Sequence, residues 1–137
     1  MLDTGYWILY TGGGWWKRKR KFMSYKKLQI WILPREVVIE VHDMTMKLPK
    51  FELYEEGSQI RRSSKTTKAT IVEGYGRMRY KQDWIKFLIY ALSSNDETMD
   101  HPENLWDTKS LTDESIFINL KTKIESPGKM LNIPASC

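Results

Sequence analysis

The segment 57–81 combines a narrow stripe of small and apolar residues with an excess of cations. The stripe recurs at steps of 4, 3, 4 and 3, and it consists of Ile60, Ser64, Thr67, Ile71 and Gly74. This spacing places all five side chains on one face of an α-helix. Small residues on that face let a neighbouring helix approach closely, so the segment predicts a packed helix that ends near Gly74–Gly76.

The other faces of this predicted helix, and the turn that follows it, carry positive charge. Seven cations accompany a single acid in the segment, and they are Arg61, Arg62, Lys65, Lys68, Arg77, Arg79 and Lys81. Arginine and lysine without base-reading geometry favour phosphate groups and give salt-sensitive, weakly specific binding to RNA or DNA. These seven residues are therefore the candidate nucleic-acid-binding residues. The alternative is that they solubilise an outer helix face or pair with acidic residues of another subunit.

The formal net charge of +5 is distributed unevenly along the chain. The segment 57–81 sums to +6, whereas residues 91–120 carry seven acids against one lysine and sum to −6. Such polarity between successive segments predicts separate basic and acidic surfaces. These surfaces could bind nucleic acid, or they could bind each other across subunits.

Three further amphipathic patterns predict an all-α, antiparallel up-and-down four-helix bundle over residues 25–137. The first predicted helix covers about residues 26–48, and the third begins near Tyr80. The apolar face of the third helix consists of Trp84, Phe87, Leu88, Ala91, Leu92, Asn95 and Met99. The fourth helix is predicted to begin at Thr112 as N-cap, with Asp113 and Glu114 in its first turn.

Three prolines fall where these patterns would favour a helix former, at Pro34, Pro102 and Pro127. An interior proline costs roughly 3 kcal/mol because it removes a hydrogen bond and crowds the preceding turn. The sequence therefore predicts kinks or helix ends near Leu33, His101 and Ser126. Pro127–Gly128 and residues 132–134 are expected to shorten the fourth helix.

Residues 1–24 have a different composition, with three consecutive glycines, paired tryptophans and five consecutive cations at 17–21. They predict a disordered basic leader that lies outside the folded domain. One interpretation is a nucleic-acid-binding arm whose tryptophans stack on bases. The other is a leader without a role in the fold, which arises from a start codon placed too early.

No catalytic constellation, cofactor motif or metal-ligand spacing is evident, so we expect a protein that is not an enzyme. Gly74–Arg79 has arginine in place of the last glycine of a dinucleotide loop and follows a helix instead of a strand. His42 and His101 have no cysteine or histidine partner at metal-ligand spacing. Asp96, Glu97 and Asp100 are interpreted as a solvated acidic face.

Glu73 is interpreted as a structural residue that forms an ion pair with Arg77 or Arg62. Gly74 and Gly76 are interpreted as structural residues at the end of the helix. The single cysteine, Cys137, is assigned no role and excludes an internal disulfide, which fits a reducing cytoplasm. No run of 18 apolar residues is present, so no membrane span is expected.

The motifs S-Q-I-R-R at 58–62, I-V-E-G-Y-G-R at 71–77 and D-W-I-K-F-L-I-Y-A-L-S-S-N-D-E-T at 83–98 carry a family resemblance. They resemble the four-helix bundle proteins first found as reading frames in intervening sequences of bacterial 23S ribosomal RNA. A relative of that family is the accessory protein of diversity-generating retroelements. The resemblance covers roughly residues 25–129.

The single cysteine predicts a cytoplasmic protein, whereas the resemblance implies a homo-oligomer, a ring-like pentamer in the structurally known relatives. Such a ring would repeat the basic segment of each subunit around a collar. By analogy with the retroelement relative, the partners are nucleic acid and a reverse transcriptase. The family pattern places cations at five of the seven candidate positions, which are Arg61, Arg62, Lys65, Arg77 and Arg79.

Overall fold

The computed structural model describes residues 5–9, 15–19 and 24–131. Two strands, β1 (Gly5–Leu9) and β2 (Trp15–Lys19), precede a short 3-10 helix at Tyr25–Lys27. The α-helices are α1 (Gln29–Thr45), α2 (Lys50–Tyr54), α3 (Glu56–Gly76), α4 (Lys81–Asp107) and α5 (Glu114–Leu131).

The four long helices pack around a common core. Helix α3 contacts α1 and α4, and α5 contacts the same two helices from the other side. Short connections join successive helices, so residues 24–131 form the all-α four-helix bundle that the sequence predicts. No helix in this part of the chain has the length and apolar character needed to cross a membrane.

The core contains two apolar clusters, one towards each end of the bundle. The first gathers the start of α1 with the ends of α3 and α5 and the start of α4, and it includes Ile30, Ile71, Trp84, Leu88 and Leu131. The second lies at the opposite end and includes Val41, Ile60, Leu105, Leu120 and Ile124. The five stripe residues predicted for α3 are all buried, which confirms the packed face read from their spacing.

Polar residues and prolines occupy the buried positions that separate these clusters along each helix. The intervening buried residues include Pro34 on α1, Ser63 and Thr67 on α3, Asn95 and Thr98 on α4, and Pro127 on α5. The Thr98 hydroxyl group donates to the Ser63 hydroxyl oxygen over 2.8 Å. The middle of the bundle is therefore held by specific hydrogen bonds as well as by apolar contact.

No helix in the described part of the chain ends at one of the three prolines. Pro34, Pro102 and Pro127 lie inside α1, α4 and α5, and all three are buried. Pro127 and Gly128 do not end α5, which continues to Leu131. The prediction that the helix is shortened at this point is therefore wrong. Residues 132–134, the second expected stop, lie outside the described residues.

The packing explains how α5 continues past its proline. The pyrrolidine ring is apolar, so its burial offsets part of the lost hydrogen bond. In the turn that Pro127 crowds, the Asn95 side-chain amide donates to the carbonyl oxygen of Ile124 over 3.0 Å. This contact supplies a tertiary hydrogen bond beside Pro127, which has no backbone N–H group to donate within the helix.

Several helix boundaries in the structure also differ from the predicted ones. The chain is extended at Leu28, so the first predicted helix divides into the 3-10 helix and α1. The residues between the first predicted helix and the segment 57–81 contain the single turn α2. The N-cap of α5 is Asp113 and not Thr112, since the Asp113 carboxylate accepts from the backbone amides of Ser115 at 3.0 Å and Ile116 at 3.3 Å.

Two parts of the predicted leader have a defined backbone. Strand β1 pairs antiparallel with β2, with Tyr6 opposite Arg18 and Trp7 opposite Lys17. This pairing differs from the prediction of a disordered leader for residues 5–9 and 15–19. The remainder of residues 1–23 lies outside the described residues.

Candidate nucleic-acid interface

The seven predicted cations lie at two places on the bundle. A helix-face group occupies the outer side of α3 and consists of Arg61, Arg62, Lys65 and Lys68. An exit-turn group lies where α3 leads into α4 and consists of Arg77, Arg79 and Lys81. At 1.5 Å per residue, about 13 Å along the helix axis separates Lys68 from Arg77.

Arg61 is bound to the protein itself. Its Nη2 atom donates to the carbonyl oxygen of Leu53 over 2.9 Å. Its Nη1 atom is fully buried and has no hydrogen-bond partner among the described residues. The guanidinium group thus joins the end of α2 to the first turns of α3. This geometry gives Arg61 a structural role, in place of the phosphate contact that the sequence predicted.

Arg62 and Lys65 are the accessible members of the helix-face group. Both are exposed, and they line a shallow open groove together with Ser58, Thr66 and Ala69. Neither side chain forms an ion pair within the described part of the chain. Their spacing of three residues places them on adjacent turns of one helix surface. Two neighbouring positive charges are therefore left to bind an anion from outside this subunit.

Lys68 extends the helix-face group towards α1. Its Nζ atom lies 5.7 Å from the ring centroid of Trp31, within the range of a cation–π contact. The side chain is half-buried, so it contributes to the packing of α3 on α1 as well as to the local charge.

The exit-turn group surrounds the start of α4. Arg77 lies with Nη1 3.9 Å from Asp83 Oδ2 and its guanidinium carbon 5.2 Å from the ring centroid of Phe87. The ion pair is exposed, so it leaves Arg77 accessible to other anions. Arg79 and Lys81 line a second open concavity together with Tyr80 and two further residues of α4.

Tyr80 is a candidate that sequence reasoning passed over. It lies between Arg79 and Lys81, and 61% of its surface is exposed. The signal was present in the sequence, because an aromatic residue flanked by cations is typical of nucleic-acid contacts. It was missed because Tyr80 served only to mark where the third helix begins.

Glu73 does not form the predicted ion pair. It is exposed, and no ion pair joins it to Arg77, to Arg62 or to any other described residue. The predicted i,i+4 contact fails because α3 ends at Gly76, so Arg77 leaves the helical path and turns towards Asp83. The structural role assigned to Glu73 therefore has no contact to support it.

The two structural glycines differ in what surrounds them. A Cβ atom at Gly74 would lie 2.7 Å from the Phe87 Cβ atom and 2.8 Å from the Trp84 ring, so α4 approaches α3 too closely for any side chain. A Cβ atom at Gly76 would meet nothing within 4 Å. Of these two glycines, Gly74 is therefore the one that the packing requires.

An acidic surface lies on the second half of α4. Its exposed carboxylates are those of Asp96, Glu97, Asp100, Glu103 and Asp107. Some are paired within the subunit, as Glu103 is with Lys121. Asp96 and Asp107 form no ion pair with any described residue. The predicted acidic surface is thus present beside the basic helix α3, which packs against α4.

His101 lies at the edge of the same region and is buried between two carboxylates. Its Nδ1 atom lies 3.0 Å from Glu56 Oε1, and its Nε2 atom lies 3.5 Å from Glu97 Oε2. The carboxylates are on opposite sides of the ring, so they do not converge on a common point. Over the described ranges, no group of three or more histidine, cysteine, aspartate or glutamate residues could hold a metal ion.

Comparison with solved structures supports the fold. A crystal structure of a protein of unknown function from the S23 ribosomal protein family of Bacteroides thetaiotaomicron superimposes with a TM-score of 0.63. The two sequences are 22% identical, and the match covers 74% of this chain and 94% of the other. At this identity the likeness concerns the fold alone. A comparison with curated proteins gave no match.

Comparison with protein families covers most of the bundle. The family described as 23S rRNA-intervening sequence protein matches residues 26–133. The matched range includes all four long helices, the helix-face group and the exit-turn group. The chain therefore belongs to the 23S rRNA-intervening sequence protein family.

Proposed function

We propose that this protein is a non-enzymatic, self-associating helical bundle that binds nucleic acid, RNA in particular, through the outer side of α3 and its exit turn. The observation that carries the proposal is the pair Arg62 and Lys65, which are exposed, adjacent and without an ion pair in the described chain. The family description, which refers to intervening sequences of 23S rRNA, favours RNA over DNA.

The binding mechanism is electrostatic. Each phosphate neutralised by lysine or arginine releases condensed counterions, so the affinity falls with salt by about 0.7–0.9 logarithmic units per phosphate and per tenfold change in salt. Contacts of this kind position the protein without reading base identity. We therefore expect binding that is strongly salt-dependent and weakly dependent on sequence.

Self-association would multiply these contacts. Apolar side chains on the outer sides of three helices remain available for contacts between subunits, with Ile39 exposed by 47%, Ile89 by 52% and Ile118 by 53%. A ring of subunits, five by the family resemblance, would present several basic surfaces to one RNA molecule. Linked sites of this kind raise the overall affinity without any new contact in the single subunit.

The test begins with light scattering of the full chain at low and high salt, followed by titration of a structured RNA monitored by fluorescence anisotropy. The double variant Arg62→Ala/Lys65→Ala is expected to weaken binding and to reduce the salt slope by about 2. The matched control Lys47→Ala/Lys129→Ala removes the same charge from two exposed residues, one in the turn after α1 and one in the last turn of α5, and should retain the slope. Equal binding by the two double variants would contradict the proposal.

A second candidate function is a purely structural oligomer in which the basic surface of one subunit pairs with the acidic surface of another. The exposed and unpaired Asp96 and Asp107 favour it. This alternative predicts an assembly that dissociates in high salt and in Arg62→Glu/Lys65→Glu, together with a wild-type protein that does not bind RNA. The mass of both proteins by light scattering separates the two candidates.

A further inference from the structure

The side chain of Tyr80 is exposed on a backbone that is fixed from both sides. Its amide donates to the carbonyl oxygen of Arg77 over 2.9 Å, and its carbonyl oxygen accepts from the amide of Trp84 over 3.0 Å. The first bond closes the exit turn, and the second belongs to the first turn of α4. The position of the Tyr80 Cα atom is therefore set by the bundle, while 61% of the residue faces solvent.

The ring of Tyr80 has no aromatic or hydrogen-bonding partner among the described residues. Tyr75 and Tyr90 differ in this respect. Tyr75 packs edge-on against Trp84 with ring centroids 6.4 Å apart, and Tyr90 packs against Phe87 at 5.9 Å. No ring contact or hydrogen bond to a described residue therefore holds the Tyr80 side chain against the bundle.

The charge around Tyr80 is positive. Arg77, Arg79 and Lys81 lie within three residues of it against a single acid, Asp83, and the adjacent concavity is open to solvent. Tyr54, exposed by 68% on α2, provides a contrast, since its sequence neighbours Glu52, Glu55 and Glu56 are acidic. Exposure alone therefore does not distinguish Tyr80; the combination of a free ring with flanking cations does.

We propose that Tyr80 stacks on an unpaired base of a single-stranded RNA segment, whose neighbouring phosphates contact the exit-turn group. This inference rests on the proposed function and adds a substrate class to it. A base inside a duplex has both faces covered, whereas an unpaired base can stack on an aromatic side chain. The exit turn then selects loops or ends of an RNA, while Arg62 and Lys65 bind phosphates regardless of pairing.

The experiment compares two labelled probes with the full chain by fluorescence anisotropy: an unstructured RNA of about 12 nucleotides and a duplex of the same length. Tyr80→Ala should weaken binding of the single strand by about 5- to 150-fold, since stacking on one base is worth about 1–3 kcal/mol. Binding of the duplex should change by less than about twofold. Tyr80→Phe keeps an aromatic ring and should bind the single strand like the wild type.

The matched control is Tyr54→Ala, which removes an exposed tyrosine near the other end of α3. It should bind both probes like the wild type. An equal loss in Tyr54→Ala and Tyr80→Ala would overturn the inference, as would a Tyr80→Ala variant that loses single strand and duplex to the same extent. Light scattering completes the test, because a lower mass for Tyr80→Ala would place Tyr80 in a contact between subunits and overturn it too.

Different results would reject the stacking role of Tyr80 and the proposed function. If the wild type binds both probes with a steep salt dependence and Tyr80→Ala binds the single strand equally well, only the stacking role of Tyr80 is rejected. If the wild type binds neither probe, the proposed function is rejected together with it.

Discussion

Gly74 of α3 lies so close to Trp84 of α4 that a Cβ atom at position 74 would come within 2.8 Å of the indole ring. Trp84 is fully buried, so the ring cannot move aside into solvent. At this close approach the end of α3, just before the exit turn, packs against the start of α4. The position of the exit-turn group therefore depends on a buried residue that carries no charge.

We expect Gly74→Ala to lower the free energy of unfolding by about 1–3 kcal/mol, since overpacking of a fixed core outweighs the higher helix propensity of alanine. Gly76→Ala is the control, because its added methyl group would meet nothing within 4 Å. That variant should be as stable as the wild type or more stable. Urea unfolding followed by circular dichroism measures both, and identical midpoints would argue against the close approach.

The adjacent residues Arg61 and Arg62 should differ in their contributions to stability. Arg61→Ala removes the donor to the Leu53 carbonyl oxygen and should lower stability by about 1–3 kcal/mol. Arg62→Ala should change stability by less than about 0.5 kcal/mol, since its side chain is exposed. Thermal unfolding measures this difference without any nucleic acid. A greater loss for Arg62→Ala would contradict the assigned roles.

The contact between Asn95 and α5 gives a third prediction. Asn95→Ala leaves the Ile124 carbonyl oxygen without its tertiary donor and should cost about 1–3 kcal/mol of stability. Asn95→Asp should cost more, because it buries a carboxylate against a carbonyl oxygen, and its deficit should grow as pH rises and the carboxylate ionises. Ser93→Ala, on the exposed side of α4, is the control for urea unfolding. A stable Asn95→Asp variant at neutral pH would exclude this contact.

The N-cap of α5 predicts a pH dependence. The hydrogen bond from the Ser115 hydroxyl group, followed by that from the Ile116 amide, lowers the pKa of the Asp113 carboxyl group below its ordinary value. A depressed pKa in the folded state means that the carboxylate contributes stability above its unfolded pKa of about 3.9 and loses it as pH falls further. Asp113→Ala should therefore be less stable than the wild type at pH 7, and the difference should shrink below about pH 4.

The measurement is a series of urea midpoints for both proteins across the acidic range. Thr112→Ala is the control, since the backbone amides at the start of α5 bond to Asp113. A difference between Asp113→Ala and wild type that stays constant down to pH 2 would assign the stabilisation to something other than the ionised cap.

Periodicity predicted the packed face of α3 because it depends only on local helical geometry. Ile60, Ser64, Thr67, Ile71 and Gly74 are all buried, as their spacing requires. The positions of the cations follow from the same geometry, so two clusters of basic residues could be placed on one helix and its exit turn without knowledge of the tertiary structure.

Tertiary contacts account for what the sequence did not predict. The role of Arg61 depends on the carbonyl oxygen of Leu53, which reaches it only because α2 folds back at the start of α3. The continuation of α5 through Pro127 depends on packing against α4. The cost of an interior proline, roughly 3 kcal/mol, does not include such contacts between helices. The exposure of Tyr80 likewise appears only when the exit turn is formed.

The buried hydrogen bonds of α4 have a consequence for how the bundle chooses one arrangement. Asn95 bonds to α5 and Thr98 bonds to Ser63 of α3, so one short stretch of α4 is matched to two partners. Apolar stripes repeat each turn and still pack after a helix slides by one turn, about 5.4 Å. A slide of α3 would take the Ser63 hydroxyl oxygen away from Thr98, whose hydroxyl group would keep only the Ser94 carbonyl oxygen of its own helix. A slide of α5 would move the Ile124 carbonyl oxygen away from Asn95. We therefore expect this middle layer to fix the register of α3, α4 and α5, and with it the position of the start of α4 beside the exit-turn group.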